Sequence, residues 1–328
     1  MADDSQQRRP LAPMDPRLTT IQPGGGIIIH LEMAWGYWRR WWLKTFRKGY
    51  VARMQACRKG EVNGCPHEVL DPRDLKYYWN QPNYWWEPED DPFHYRENLP
   101  FARVGLAELL VFAVMFLGPA VGLAVYLLMS EVTGALSYVL WVVVVALGLT
   151  GIEVVWFFRN PRRLIPSEPG LVVSPADGKV VLIEEIEHDP DIGGPAVLIG
   201  IFLSIFNVHI NRTPVAARVI GLRYQPGKYL NALRPESARE NEQVAIIVEE
   251  NAAPHRVMVM RQITGAIARR IVCWLKPGDE LERGEQIGMI KLGSRTELVL
   301  PREAALEIVT KVGDHVQAGS SVLARYRR

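Results

Sequence analysis

Cysteine is scarce in this chain. Three occur in 328 residues, Cys57, Cys65 and Cys273, an odd number with no paired framework. That excludes a disulfide-built extracellular fold and points to a reducing compartment for the part that holds Cys273. Charge imbalance is lacking too: 38 Lys and Arg against 36 Asp and Glu leave a formal +2. No nucleic-acid partner is expected, since such partners call for a concentrated basic surface. No apolar core follows the first residues, which argues against a signal peptide. Metal-ligand patterns are thin as well. Cys57, Cys65 and His67 offer three ligands with seven residues between the cysteines, short of a structural zinc site, and no metal is expected.

What the chain does have is apolar length. Leu106 to Met129 and Leu136 to Phe158 are each over twenty residues long and nearly uncharged, enough for helices crossing a ~30 Å hydrocarbon layer. A buried core hairpin is the alternative, disfavoured by length and by the lack of a polar stripe. The connecting SEVTGALS has no Lys or Arg, while Arg96 and Arg103 precede the pair and Arg159, Arg162 and Arg163 follow it. The positive-inside rule then predicts a cell (inner) membrane protein with its C-terminal domain on the cytoplasmic side.

Four regions are expected: a polar, Pro- and Gly-rich disordered tail (1–30), a Trp- and Arg-rich region of unknown role (31–103), the transmembrane helical hairpin (104–158) and a C-terminal domain (159–328). For AWGYWRRWWLKTFRKGYVARM two readings are open: a helix lying in the headgroup region with its cations near acidic lipid, or a small packed module or partner surface. The C-terminal domain reads as mainly β (α+β), mostly antiparallel with a few short helices. Its candidate strands begin at Val180, Ala196, Ala245, Arg256 and Ala305, separated by turn signals.

Three segments there carry chemistry. In MIKLGSRTELVLP, Gly293 puts an open, flexible carbonyl directly before the Ser294 hydroxyl in a predicted hairpin turn. The Ser294 oxygen could attack that carbon, and elimination across the resulting ester would cut the chain and leave a dehydroalanine that hydrolyses to a pyruvoyl group. In LVVSPADGKVV an apolar run halts at a tight turn where the Asp177 carboxylate is expected free. In VLIGIFLSIFNVHINRTPV an apolar strand ends in Asn207, His209 and Asn211, which alternation places on one face. Taken singly, each is ordinary turn or strand-end chemistry.

In this order the segments SPADGKV, FLSIFNVHINRTP, RENEQ and AIARRIVCWLKPGDELERGEQIGMIKLGSR, covering most of residues 165 to 301, closely resemble the phosphatidylserine decarboxylase family. The resemblance implies a pyruvoyl enzyme, self-cleaved between Gly293 and Ser294, that makes phosphatidylethanolamine and carbon dioxide through a Schiff base between the pyruvoyl group from Ser294 and phosphatidylserine. Asp177 and His209 match the family's acidic and histidine positions, implying roles in maturation and decarboxylation. Neither metal nor pyridoxal phosphate is implied. One departure stands out: Arg212 occupies the place of a second histidine in better-known bacterial members, leaving His209 where the family has two. The pattern looks like the short bacterial and archaeal branch with a Gly-Ser-Arg cleavage site, whose archaeal relatives act on ether-linked archaetidylserine. The implied partners are an anionic serine phospholipid and the two chains of the cut protein, which stay associated, with a homo-oligomer possible. Lys179, Arg212 and Lys228 are candidate contacts for the lipid phosphate.

A repeat adds a structural expectation. KPGDELERGEQIGMI from Lys276 recurs as KVGDHVQAGSSVLA from Lys311, and such Gly-Asp hairpins resemble those of biotinyl and lipoyl carrier domains. Counting ten residues on from Gly284 reaches Ser294. A carrier domain is therefore one alternative, disfavoured because no Met-Lys-Met or Asp-Lys-Ala stands at either tip; a catalytically silent membrane scaffold is the other.

Overall fold

The computed structural model describes residues 8–56, 68–82, 91–266, 270–291 and 293–327, the side chains of residues 26–28 excepted. Cys57, Cys65 and His67 lie outside the described residues. The chain divides into two compact units, one of Met1–Tyr95, Arg163–Ser204 and His209–Arg328, the other of Arg96–Arg162 with Ile205–Val208.

The first unit is mainly β. Its strands are β1 (Leu171–Val173), β2 (Gly178–Asp189), β3 (Gly194–Leu203), β4 (Ile210–Arg212), β5 (Ala217–Gln225), β6 (Gln243–Glu250) and β7 (Val257–Ile263). They continue as β8 (Ile271–Cys273), β9 (Glu280–Leu281), β10 (Gln286–Ile290), β11 (Ser294–Pro301), β12 (Leu306–Ile308), β13 (His315–Val316) and β14 (Val322–Tyr326). The largest sheet has the order β13-β2-β3-β11-β7-β6-β5-β9, flanked by the three-stranded sheets β4-β10-β8 and β1-β14-β12. Pairing between these strands is antiparallel throughout.

Over much of their length the central strands are apolar on both faces because each face meets its own core. Ile199, Ile201, Leu298, Leu300 and Met260 point into the main cluster, while Leu198, Val259 and Val299 point the other way into a smaller one. Strands buried on both sides lose the polar alternation of a solvated sheet. The candidate strands from Val180, Ala196, Ala245 and Arg256 fall in β2, β3, β6 and β7. The run from Ala305 is realised only as β12, because the chain breaks from the sheet into the Lys311–Asp314 turn.

The Gly-Asp repeat is a repeat of structure. In one copy the Lys276 N–H donates to Asp279 Oδ2 at 2.9 Å, and in the other the Lys311 N–H donates to Asp314 Oδ2 at 3.0 Å. Gly278 and Gly313 adopt φ of 98° and 103°, which only glycine takes without strain. Each hairpin grips a matching strand: Gly278 N–H donates to Val219 O and Gly313 N–H to Val180 O, both at 2.8 Å. The repeat extends to the entries of β2 and β5. The Val173 N–H donates to Pro214 O at 3.0 Å and the Arg212 N–H to Pro175 O at 2.9 Å, a reciprocal exchange. The β-unit thus holds two copies of one strand-turn-strand and hairpin frame.

The N-terminal tail differs from its sequence expectation. From Arg8 onward it lies along the β-unit: Ala12 N–H donates to Ile220 O and Cys273 N–H to Ile21 O, both at 2.8 Å. Leu18 and Ile21 are buried. Composition reads this segment as disordered because its few apolar residues are dispersed, and what orders it is edge pairing and burial of those few. Cys273 is itself a core residue, its thiol pushed up to about 12 by burial and so unreactive. Beyond the tail, α1 (Gly26–Phe46), α2 (Lys48–Ala56) and α3 (Pro72–Tyr78) surround a small core of Leu43, Met54, Leu70, Leu75 and Phe93. Asp71 and Asp74 cap α3 reciprocally.

The second unit contains α4 (Leu106–Met129) and α5 (Ala135–Phe157). Both have the length and composition to cross a membrane, and in each only 6% of the most apolar window is buried. Gly151 lets the two helices approach, since a Cβ there would meet the Leu117 side chain.

Candidate active site

The site forms where β10 hands over to β11. β4 pairs with β10, and Ile290 N–H donates to His209 O at 3.2 Å. This brings His209, the residue before β4, to the turn that precedes Ser294. There the Gly293 N–H donates to His209 Nε2 at 3.3 Å. As the acceptor of that bond, Nε2 offers its lone pair to the turn. Gly293 has φ of 63°, a backbone disfavoured for side chains. Space is not its reason, since a Cβ there would meet nothing within 4 Å among the described residues.

Ser294 opens β11 opposite Leu203 of β3. It is fully buried, and its Oγ has no hydrogen-bond partner among the described residues. An unmet hydroxyl in an interior costs ~1–3 kcal/mol. Nearby strand positions hold further buried polar groups: Asn211 Nδ2 donates to Thr296 Oγ1 at 3.0 Å, and Gln262 Nε2 donates to Asn211 Oδ1 at 2.9 Å. Ser294, His209, Asn211, Gln262 and Thr296 are each at most 1% exposed. Gln262 Oε1 is also unpartnered.

A second glycine shapes the turn from the other side. A Cβ on buried Gly265 would fall on the Gly293 carbonyl oxygen, and 3.1 Å from its carbon. Gly265 therefore leaves the room that the Gly293–Ser294 carbonyl occupies. Arg295 points to the opposite face of β11. It pairs with Glu297 at 2.9 Å; Glu297 lies 3.5 Å from Arg261, and Arg261 pairs with Asp189 at 2.9 Å. That rail of ion pairs gives Arg295 a structural occupation.

Asp177 belongs to a separate charged cluster. Both its oxygens accept from Arg163 Nη2, at 2.8 and 2.7 Å, and Oδ1 also accepts the Ala318 N–H at 2.8 Å. The carboxylate expected free at a turn is thus held by a buried guanidinium. Arg212 lies near the same pair: burial first, and then Arg163, push its guanidinium below the usual value, while Asp177 pulls it back up. Arg212 Nη1 donates to Gly284 O at 2.8 Å.

The family profile described as "Phosphatidylserine decarboxylase" matches residues 152–324. The chain belongs to the phosphatidylserine decarboxylase family. A relative from Rhodopirellula baltica, named phosphatidylserine decarboxylase proenzyme, is 53% identical over 254 residues, 77% of this chain and all of the relative. Proteins of the same name from Desulfotalea psychrophila and Symbiobacterium thermophilum are 38% and 43% identical, covering 63% and 64% of this chain and 93% and 92% of their own.

In this phosphatidylserine decarboxylase family member, Gly293, Ser294 and His209 come together, while Asp177 and Arg212 share the Arg163 cluster. Lys228 is paired with Glu240 at 2.7 Å on the surface, and Lys179 is exposed on β2. Asn207 does not share a strand face with His209, because β3 ends at Leu203 and β4 starts at Ile210. Sequence reasoning missed Arg163, read only as a membrane-flanking cation, and also Gly265, Gln262 and Thr296. Gln262 follows Arg261, and Thr296 stands between Arg295 and Glu297, so nothing in the pattern set either apart from its charged neighbours.

Proposed function

We propose that this chain is made as a precursor that cuts itself between Gly293 and Ser294 and then decarboxylates phosphatidylserine to phosphatidylethanolamine. The observation that carries this is the buried, unpartnered Ser294 Oγ directly behind a glycine held at φ of 63°. Ser294 Oγ attacks the Gly293 carbonyl carbon, and its proton passes to His209 Nε2, which exchanges the Gly293 N–H for the hydroxyl. As His209 passes that proton on to the Ser294 nitrogen, the C–N bond breaks, the amide becomes an ester and the nitrogen is freed as an amine. Loss of the Ser294 Cα proton then breaks the Cβ–Oγ bond, and Gly293 leaves as a carboxylate. The dehydroalanine takes up water, releases ammonia and leaves the pyruvoyl end.

The residues present fit such a group, since an orphaned serine oxygen and the clearance at Gly265 meet at one carbonyl. When formed, the pyruvoyl group supplies a ketone for the substrate amine and a sink for the electrons left by carbon dioxide. His209, fully buried, is suited to deliver a proton to the substrate Cα through Nε2 once that nitrogen has taken one up. Arg163 and Arg212 set two guanidiniums against the single carboxylate of Asp177, and the surplus cation favours a lipid phosphate. Asp177 fixes Arg163 in that role. The paired Gly-Asp hairpins support kinship with biotinyl and lipoyl folds.

Orientation follows from charge. Arg96, Arg103, Arg159 and Arg162 flank the helices and the Glu131–Gly134 turn has no cation, so both ends face the cytoplasmic side of the cell membrane. Intact-mass measurement on purified protein, with carbon dioxide release from phosphatidylserine, tests the proposal. Two chains are expected, the smaller blocked at its amino end and inactivated by borohydride. An active, uncut chain with an unmodified Ser294 overturns it. Ester- and ether-tailed serine lipids assayed side by side decide between phosphatidylserine and an archaetidylserine-type substrate.

A further inference from the structure

Helix α1 is built with its polarity reversed. Three of its four charged residues turn toward the N-terminal module: Arg40 pairs with Asp74, Lys44 with Glu68, and Glu32 accepts from Tyr77 and from Lys76, the latter at 3.1 Å; the fourth, Arg39, lies over the Trp42 ring. Ile29 and Leu43 are buried on the same side. At ~100° per residue, the opposite half of the helix holds Leu31, Trp35, Tyr37, Trp38, Trp41 and Phe46, and no Asp, Glu, Lys or Arg. Those six are 63%, 49%, 63%, 48%, 58% and 62% exposed. A helix on a water-facing surface shows the reverse arrangement. An apolar face of this size, interrupted by exposed His30 and Thr45, marks an interaction surface.

We propose that the outward face of α1 is a membrane-interface surface, seated at the headgroup level of an anionic bilayer. Three observations select lipid. The face is rich in Trp and Tyr, whose amphipathic rings partition to the membrane–water boundary. Residues 26–56 contain six Lys or Arg and one acidic residue, Glu32, and Arg47, Lys48 and Arg53 beside the face are exposed. That surplus attracts acidic headgroups and repels a second copy presenting the same surface. The chain also contains two helices of membrane-crossing length, so a bilayer is at hand. Both readings of the Trp- and Arg-rich segment are thereby joined: one side of α1 packs the module, the other meets lipid. The cations Arg40 and Lys44 serve the packed side.

The test uses the full chain in nanodiscs of phosphatidylcholine and phosphatidylglycerol, with bromine placed on the acyl chains either near the carbonyls or near the chain ends. Tryptophan emission of the parent is compared with that of a W35F/W38F/W41F variant, and with W38F alone in case the triple change perturbs the module. The difference emission isolates the face from the remaining tryptophans. It should be quenched by shallow bromine more than by deep bromine. Difference emission that bromine leaves unquenched overturns the proposal, whether red-shifted, as for indole in water, or blue-shifted in particles of doubled protein mass, as for a second copy. The Ser294→Ala precursor should give the same result, so this inference stands or falls apart from the decarboxylase reaction.

Discussion

The Ser174–Lys179 turn and the Thr213–Arg218 turn are built by the same bonds. Ser174 Oγ donates to Ala176 O at 2.7 Å, and Thr213 Oγ1 donates to Val215 O at 2.8 Å. Ser174 O accepts the Gly319 N–H at 2.8 Å, and Thr213 O accepts the Gly284 N–H at 2.9 Å. Yet the first turn carries Asp177 where the second carries Ala216, and only the second is preceded by His209 and Asn211. The frame is duplicated and the chemistry is not. Backbone bonds and glycine conformations hold both copies, so reactive side chains could be placed in one without cost to the other.

The comparison breaks most sharply at β11, which follows the second copy. Ser294→Ala should leave one uncut chain and no activity while the fold persists; two fragments on a denaturing gel would end the self-cleavage account. Next comes Gly265→Ala. Forcing a methyl against the Gly293 carbonyl is overpacking, which costs ~1–3 kcal/mol and slows cleavage about 5- to 150-fold if that step bears it. A time course of precursor loss measures this, and cleavage at the parent rate would show that the clearance does not matter.

Asp177→Ala makes the first turn resemble the second and strands the buried Arg163. Losing one partner of a buried pair costs ~3–5 kcal/mol, read from urea unfolding of the uncut Ser294→Ala precursor. Adding Arg163→Met should recover much of the loss. No recovery would mean that Asp177 acts through the Ala318 N–H instead.

The smallest effect lies in the hairpins. Burial pushes the Asp279 carboxyl above its usual range, with Lys276 pulling it back. Because the folded pKa is the higher one, the stability it contributes is full below the ordinary value of ~3.9 and is lost as pH rises through the folded value. Asp279→Asn should remove that slope from the urea midpoints. If Asp279→Asn and the matching Asp314→Asn leave the same pH dependence as the parent, the two hairpins do not differ electrostatically.

Local signals carried much of this molecule. Uninterrupted apolar length gave α4 and α5 within a residue or two, and the Gly293-Ser294 turn and the Gly-Asp hairpins announced themselves through glycine chemistry. The kinship of SPADGK with TPVAAR did not, because the two share only a hydroxyl, a proline and a cation, while the backbone bonds that equate them run to hairpin glycines far along the chain, Gly319 for one and Gly284 for the other. Arg163 with Asp177 and Gly265 behind Gly293 are likewise contacts across the fold, invisible to periodicity. The tail misled for a related reason: its order comes from the edge it pairs with, not from its own composition. Helix α1 was ambiguous because a reversed helix and an ordinary one have the same amphipathic period.

Ser294 begins a strand clasped along its length by β3 and also paired with β7; of the strands that follow it, β12 and β14 pair in the sheet with β1, and β13 edges the largest sheet beside β2. Severing the bond before it would turn a unimolecular folding problem into a bimolecular one without loosening a single strand. A matured molecule would keep its shape for as long as it stayed folded, yet once denatured and diluted it could not easily find its missing piece. Such a protein gets one chance to assemble, and its working lifetime is set by how slowly it first comes apart.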